Sequence, residues 1–126
     1  MPYKDPTRRR THHAAYLRER YHNDSEYRDK HKARVKSVRD RHRALLQALV
    51  AAAKAEAGRC RLCPESEPCC LSFHHIDPKT KRFRVADGPN RQVSPAVLRA
   101  EIDKCVCVCE NCHRKIHAGL ISLEGL

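Results

Sequence analysis

Tryptophan is absent, and two Phe and four Tyr leave aromatic residues at 5% of the 126-residue chain. A chain this poor in π-faces is badly equipped to stack on unpaired bases, which disfavours a single-strand-binding role. No apolar run approaches the ~20 residues that span a bilayer. The start, Met1-Pro2-Tyr3-Lys4-Asp5-Pro6, has none of the apolar h-region of a secretory signal. Acidic residues are scarce as well: 15 Asp and Glu face 26 Lys and Arg, for a formal charge of +11 and a pI of about 9.6. That imbalance favours a polyanionic partner. Nucleic acid comes before a membrane surface, because the basic segment lacks the large apolar face that interfacial binding needs.

Cysteine is abundant by contrast. Eight cysteines without a secretory signal argue against a disulfide framework and for metal binding in a reducing, cytoplasmic compartment. The length suits one small domain with an appendage. Residues 1–57 carry 15 Lys and Arg against 7 Asp and Glu, so most of the positive excess sits there. We expect a basic, largely helical arm over 1–57 and a metal-stabilised module over 58–126.

Within the arm, Met1 to Thr11 is Pro- and Arg-rich, with Arg8-Arg9-Arg10, and reads as a disordered tail. A short helix is expected from about His12 to His22. Asn23 is placed to cap a second helix, with Glu26 completing a capping box. That helix should run to about Ala57, with Gly58 as its terminator, for a length of roughly 50 Å at 1.5 Å per residue. Val35 and Val38 stand alone among charges, whereas Leu45, Leu46, Leu49, Val50 and Ala53 form a stripe at helical spacing. The stripe should pack on the following module or on a partner.

In the second module, Leu71 to Ile76 reads as a short strand stopped by Asp77-Pro78. Lys79 to Asn90 is expected to be a basic loop with a turn at Asp87-Gly88-Pro89-Asn90. Ser94-Pro95 should open a helix through about Ile102, and Lys104 to Val108 alternates like a second strand. A final helix follows, after which Leu120, Ile121 and Leu123 should fold back on the core. The apolar content is thin, and a module this small needs staples.

Two Cys-x-x-Cys turns, Cys60/Cys63 and Cys109/Cys112, offer four soft ligands in pairs, which is the demand of a tetrahedral structural zinc. Two rivals are weaker. Cys109-x-x-Cys112-His113 fits a c-type haem attachment, but that chemistry belongs to exported proteins and no Met beyond Met1 could serve as axial ligand. A thioredoxin-like redox pair would need only one such motif. Cys69 and Cys70 are adjacent and chelate poorly, while Cys105 and Cys107 share one strand face and read as small buried hydrophobes.

Four histidines form a second constellation. His113 and His117 are four apart on the expected last helix and so share a face. His74 and His75 end the first strand, where adjacent residues point to opposite faces, so both serve one site only if the chain bends there. Neutral imidazole is a common ligand for a divalent ion and the usual general base near neutral pH.

Phe73-His74-His75-Ile76-Asp77-Pro78, followed by Cys109-x-x-Cys112-His113-x-x-x-His117, resembles the HNH (ββα-metal) endonucleases, especially small phage-type members with a zinc-knuckle frame. The likeness covers about residues 58–120. It implies an α+β fold: a ββα-metal nuclease core held by a four-cysteine zinc, with the long N-terminal basic helical arm added. It also implies His75 as general base and His74, His113 and His117 as ligands of one catalytic ion (Mg2+, Mn2+, Ni2+, Co2+ or Zn2+). Cys60, Cys63, Cys109 and Cys112 would hold the structural Zn2+. The implied activity is phosphodiester hydrolysis in double-stranded DNA, by nicking or double-strand cleavage, inside a bacterial or phage-infected cell. Arg82, Arg84, Arg114 and Lys115 are candidate phosphate contacts beside the site, and Arg8, Arg9, Arg10, Arg34 and Arg41 are candidates along the arm. One departure stands out. The family's middle Asn, which braces the general-base loop, should fall near Lys104, and neither Asn90 nor Asn111 is placed to replace it.

Two other functions fit parts of the pattern: a non-catalytic, zinc-stabilised DNA-binding protein, and a junction-type resolvase on the same scaffold. A zinc nucleobase deaminase is disfavoured, since His74-His75-Ile76-Asp77 lacks the required His-x-Glu. A homodimer through the Leu45–Val50 stripe, or a phage packaging partner, stays open.

Overall fold

A computed structural model describes residues 4–124. The chain is α+β: helices α1 (Pro6–Asn23) and α2 (Ser25–Ala57), strand β1 (Leu71–His75), a short α3 (Gly88–Arg91), α4 (Pro95–Ile102), strand β2 (Cys105–Cys109) and α5 (Glu110–His117). No described helix is long and apolar enough to cross a membrane. Spatial contacts divide the chain into two compact units, one ending at Asp40 and one beginning at Arg41.

In the first unit, α1 starts earlier than expected. The Asp5 carboxylate accepts the Thr7 amide at 2.9 Å and Pro6 occupies the first turn, so Arg8, Arg9 and Arg10 are helical rather than part of a disordered tail. Asp5-Pro6 is a helix-start signal that outweighs the charge run. Of that tail, Met1, Pro2 and Tyr3 lie outside the described residues. The cap of α2 is Asp24, not Asn23: its carboxylate accepts from the Tyr27 amide at 2.9 Å, while its own N–H closes α1 on the Arg20 carbonyl at 2.9 Å. Glu26 therefore forms no capping box and pairs with Lys30 on the next turn. Nothing in α1 is buried. The order here comes from side chains at the surface, where the Arg20 guanidinium lies 4.4 Å from the Tyr27 ring centroid and His31 contacts both Tyr21 and Tyr27.

The second unit has two apolar centres. In one, Leu46 and Leu98 are fully buried against Phe83 and Val85, with Leu49, Val50 and Val97 packed around them. The leucine stripe of α2 thus finds its cover within the chain, although Leu45 remains 55% exposed. The other centre is Cys60, Leu71, Cys107, Val108, Cys109 and Cys112. Phe73 packs against both.

β1 and β2 pair antiparallel in the register Leu71↔Cys109, Phe73↔Cys107, His75↔Cys105. β2 is followed directly by α5, whose cap is Cys109: its sulfur accepts the Cys112 amide at 3.4 Å. The expected turn at Asp87-Gly88-Pro89-Asn90 is instead a helical turn, α3, with Gly88 and Pro89 buried. Gly88 is needed for contact: a Cβ there would stand 2.7 Å from Leu98 Cδ1. Ser94 caps α4 through the Val97 amide as expected, and Gly58, at φ +78°, ends α2. The expected fold-back of the C-terminal apolar residues is partial. Ile121 and Leu123 are half-buried, but Leu120 is 75% exposed.

Candidate metal centres and cleft

Cys60, Cys63, Cys109 and Cys112 converge, with all four sulfurs within 4.8 Å of one another and Cys63 Sγ to Cys109 Sγ at 3.5 Å. The edge of a ZnS4 tetrahedron with Zn–S near 2.3 Å is about 3.8 Å, so the donor set fits zinc. The chain supplies these ligands from two places. The first knuckle follows Gly58 and is pinned by Cys60 N–H to Glu65 O at 2.7 Å and Arg61 N–H to Cys107 O at 2.9 Å. The second spans the junction of β2 and α5. The four sulfurs are unequal. Burial alone would raise Cys60, but amides of Cys109, Leu62 and Cys63 pull it down to about 7. Burial and the neighbouring sulfurs push Cys112 up to about 12. A cation is what lets four such groups share the thiolate form.

Of the two strand cysteines expected as small buried hydrophobes, Cys107 is buried and Cys105 is half-buried. Burial, followed by the charge of Glu101, pushes Cys105 up to about 11, and burial raises Cys107, so both stay neutral thiols. Cys69 and Cys70 have sulfurs 3.8 Å apart, and no third ligand joins them among the described residues.

His74, His113 and His117 form a second set whose ring nitrogens also lie within 4.8 Å of one another, with ring centroids 4.8 to 4.9 Å apart. α5 delivers His113 and His117 on one face, and β1 delivers His74 opposite them. Ser72, two residues back on the same strand face, meets His113 Nδ1 through its hydroxyl at 2.9 Å. That contact leaves His113 Nε2 free for an ion and fixes the ring, as outer partners of metal-binding histidines do. Burial, then the charges of His113, His117, His75 and Lys81, hold His74 below its ordinary 6.5; burial and then His117 do the same for His113. Both are held toward the neutral form that ligates.

His75 does not join this set. The strand stays regular through His75, so the expected bend between the two histidines is absent and the rings take opposite faces. His75 is 7% exposed, and its Nε2 meets Glu101 Oε1 at 2.8 Å. It still lines the open cleft of about 910 Å³ that also takes in His74, His113 and His117.

The cationic candidates separate. Arg84 and Arg114 line the cleft, as do Lys54 and Lys81, whereas Arg82 and Lys115 are exposed outside its lining. The Arg84 guanidinium is held by Asp87 at 2.8 and 3.2 Å. Arg8, Arg9, Arg10 and Arg34 are exposed on the first unit, and Arg41 is exposed at the start of the second.

Sequence reasoning missed Ser72, Lys54, Glu101 and the role of Lys104. Glu101 is 1% exposed, and its signal was faint: a lone acid on a helix whose other residues give no reason to bury it. No protein-family model, curated protein or solved structure matches the chain.

Proposed function

We propose that the second unit is a divalent-metal-dependent DNA endonuclease with a ββα-metal (HNH) core. The observation carrying this reading is the convergence of His74, His113 and His117 beside a separate four-cysteine set, in a cleft that also presents His75, Lys54, Lys81 and Arg114. A zinc-stabilised protein that only binds DNA needs the cysteines and the basic arm. It has no use for a second set made of histidines alone.

The chemistry a divalent ion supplies when bound by the three imidazoles is charge neutralisation at the phosphate and stabilisation of the departing oxygen. His75 takes a proton from water as that oxygen attacks phosphorus in line. The P–O3′ bond breaks, the departing O3′ takes a proton from solvent water, and the ends formed are a 5′-phosphate and a 3′-hydroxyl. Lys54, Lys81 and Arg114 position the backbone by charge, which carries no sequence information. Exposed arginines of the first unit add a salt-sensitive grip on duplex DNA. An imidazole set favours nickel, manganese, cobalt or zinc at least as well as magnesium, which prefers oxygen.

The test is cleavage of supercoiled plasmid by wild type and His75→Ala, with a chelator and with each divalent ion. Metal-dependent nicking that disappears in a folded, zinc-loaded His75→Ala protein is the expected result. DNA binding with no cleavage under any metal would replace the nuclease reading with that of a binding protein.

A further inference from the structure

Glu101 is the one carboxylate among the largest fully buried side chains, and its oxygens gather the end of β1, the loop that follows it and the residue before β2. From α4, its Oε1 receives His75 Nε2 at 2.8 Å and the Arg82 amide at 2.8 Å, while its Oε2 receives Lys104 Nζ at 2.9 Å. Lys104 in turn donates to the Thr80 carbonyl at 2.9 Å, and its own carbonyl accepts the Ile76 amide at 3.2 Å. Loop residues 76–82 are thus tied at three backbone points, Ile76, Thr80 and Arg82, to Glu101 near the end of α4 and Lys104 just before β2.

Burying an ionised pair is costly, and apolar residues of similar volume usually serve packing as well or better. Burial alone would raise the Glu101 carboxyl, but Lys104, the Arg82 amide and His75 bring it to about 2, so it is an anion near neutral pH. An anion that accepts from one amide and one ammonium can meet a ring nitrogen only if that nitrogen carries hydrogen. Nε2 of His75 is therefore the protonated nitrogen. In the neutral ring, Nδ1 then holds the lone pair.

We propose that Glu101 and Lys104 are positioning residues for His75, fixing its tautomer with Nδ1 as the proton-accepting atom and clamping the 76–82 loop that follows it. This rests on the nuclease reading for its consequence, but not for its geometry. A buried acid that orients a histidine and selects its tautomer is a known device for making a base.

Two measurements on the full, zinc-loaded chain test it. Long-range 1H–15N correlation of 15N-histidine-labelled protein, with His75 assigned by its loss in His75→Gln, should show the Nε2–H tautomer near neutral pH. The same ring should average between tautomers in Glu101→Ala. In the cleavage assay, Glu101→Ala should lower kcat ~10–100-fold with KM little changed. Glu101→Gln, which keeps an oxygen acceptor for His75, should recover much of that loss. A wild-type His75 in the Nδ1–H form overturns the proposal, and that spectrum needs no folded variant. So does a zinc-loaded Glu101→Ala protein with unaltered kcat. A wild type that cleaves under no metal defeats the nuclease reading instead, and the tautomer spectrum then decides the positioning alone.

Discussion

If the four cysteines hold zinc, its removal should unfold the sheet and α5, as the composition of the core around them indicates. Among the described residues, the centre around the strands has Leu71 and Val108 as its only buried aliphatic side chains; its other buried members are Cys60, Cys107, Cys109 and Cys112, three of them proposed ligands. Two such aliphatic residues contribute ~3–6 kcal/mol of transfer free energy between them. A structural zinc contributes ~10–16 kcal/mol in small modules, against ~5–15 kcal/mol of net stability for a whole domain. Leu62, Phe73, Val106 and Ile116 add only partial burial around Leu71 and Val108, so loss of the ion removes a contribution as large as that of the apolar contacts. Cys112→Ser should have nearly the same effect as a chelator, since a hydroxyl is a far poorer zinc ligand. The probe must be chosen with care. All four tyrosines stand at or before Tyr27, so tyrosine optical signals report the first unit and miss the event. Amide hydrogen exchange of Leu71–His75 and Cys105–Cys109, followed alongside chromogenic release of one zinc per chain, reads it directly. Strand amides that keep full protection after the metal has left would refute the argument.

Gly88→Ala should destabilise by ~1–3 kcal/mol, the usual cost of overpacking, because Leu98 is fully buried and cannot move its Cδ1 away; urea midpoints check this, and an unchanged midpoint would mean that α3 shifts freely. His74 and His113 are depressed in the folded chain. Below about pH 6.5 the unfolded chain therefore takes up protons that the folded one refuses, and stability falls as pH falls. The His74→Asn/His113→Asn protein should show a shallower loss between about pH 7 and about pH 5.5, and equal slopes would exclude the effect. Neutralising Arg8, Arg9 and Arg10 together should weaken duplex DNA binding alike for all sequences and reduce the log–log salt slope by about 1 per lost phosphate contact; an unchanged slope would free α1 of that role.

Local chemistry is what the sequence exposes well here. Cys-x-x-Cys spacing, the i,i+4 histidines and the Ser94-Pro95 start each depend on a few neighbouring residues, and the four sulfurs and three imidazoles do come together. The strands were legible for the same reason, to within one residue at each end. Glu101 was not, because its partners lie 26, 19 and 3 positions away, and only the folded β1–α4–β2 arrangement brings them to one carboxylate. The place of Leu46 was half-legible: its stripe asked for cover, but only Phe83, Val85 and Leu98 show where the cover lies. α1 was misjudged where two local signals conflicted, and the Asp5 cap prevailed over the run of arginines.

Cys109 Sγ accepts the amide that starts α5 and stands among the four sulfurs. One atom thus joins the first metal to the helix that carries His113 and His117. If zinc fills the cysteines and the histidines hold the proposed second ion, maturation has an order: the cysteine site fills before α5 is in place to present its histidines. In a cell short of zinc, newly made chains would wait, inert and exposed to proteolysis, however plentiful the second ion. On the proposed function, zinc supply would then limit how much folded protein accumulates, and the ion at the histidines would act only on chains already folded.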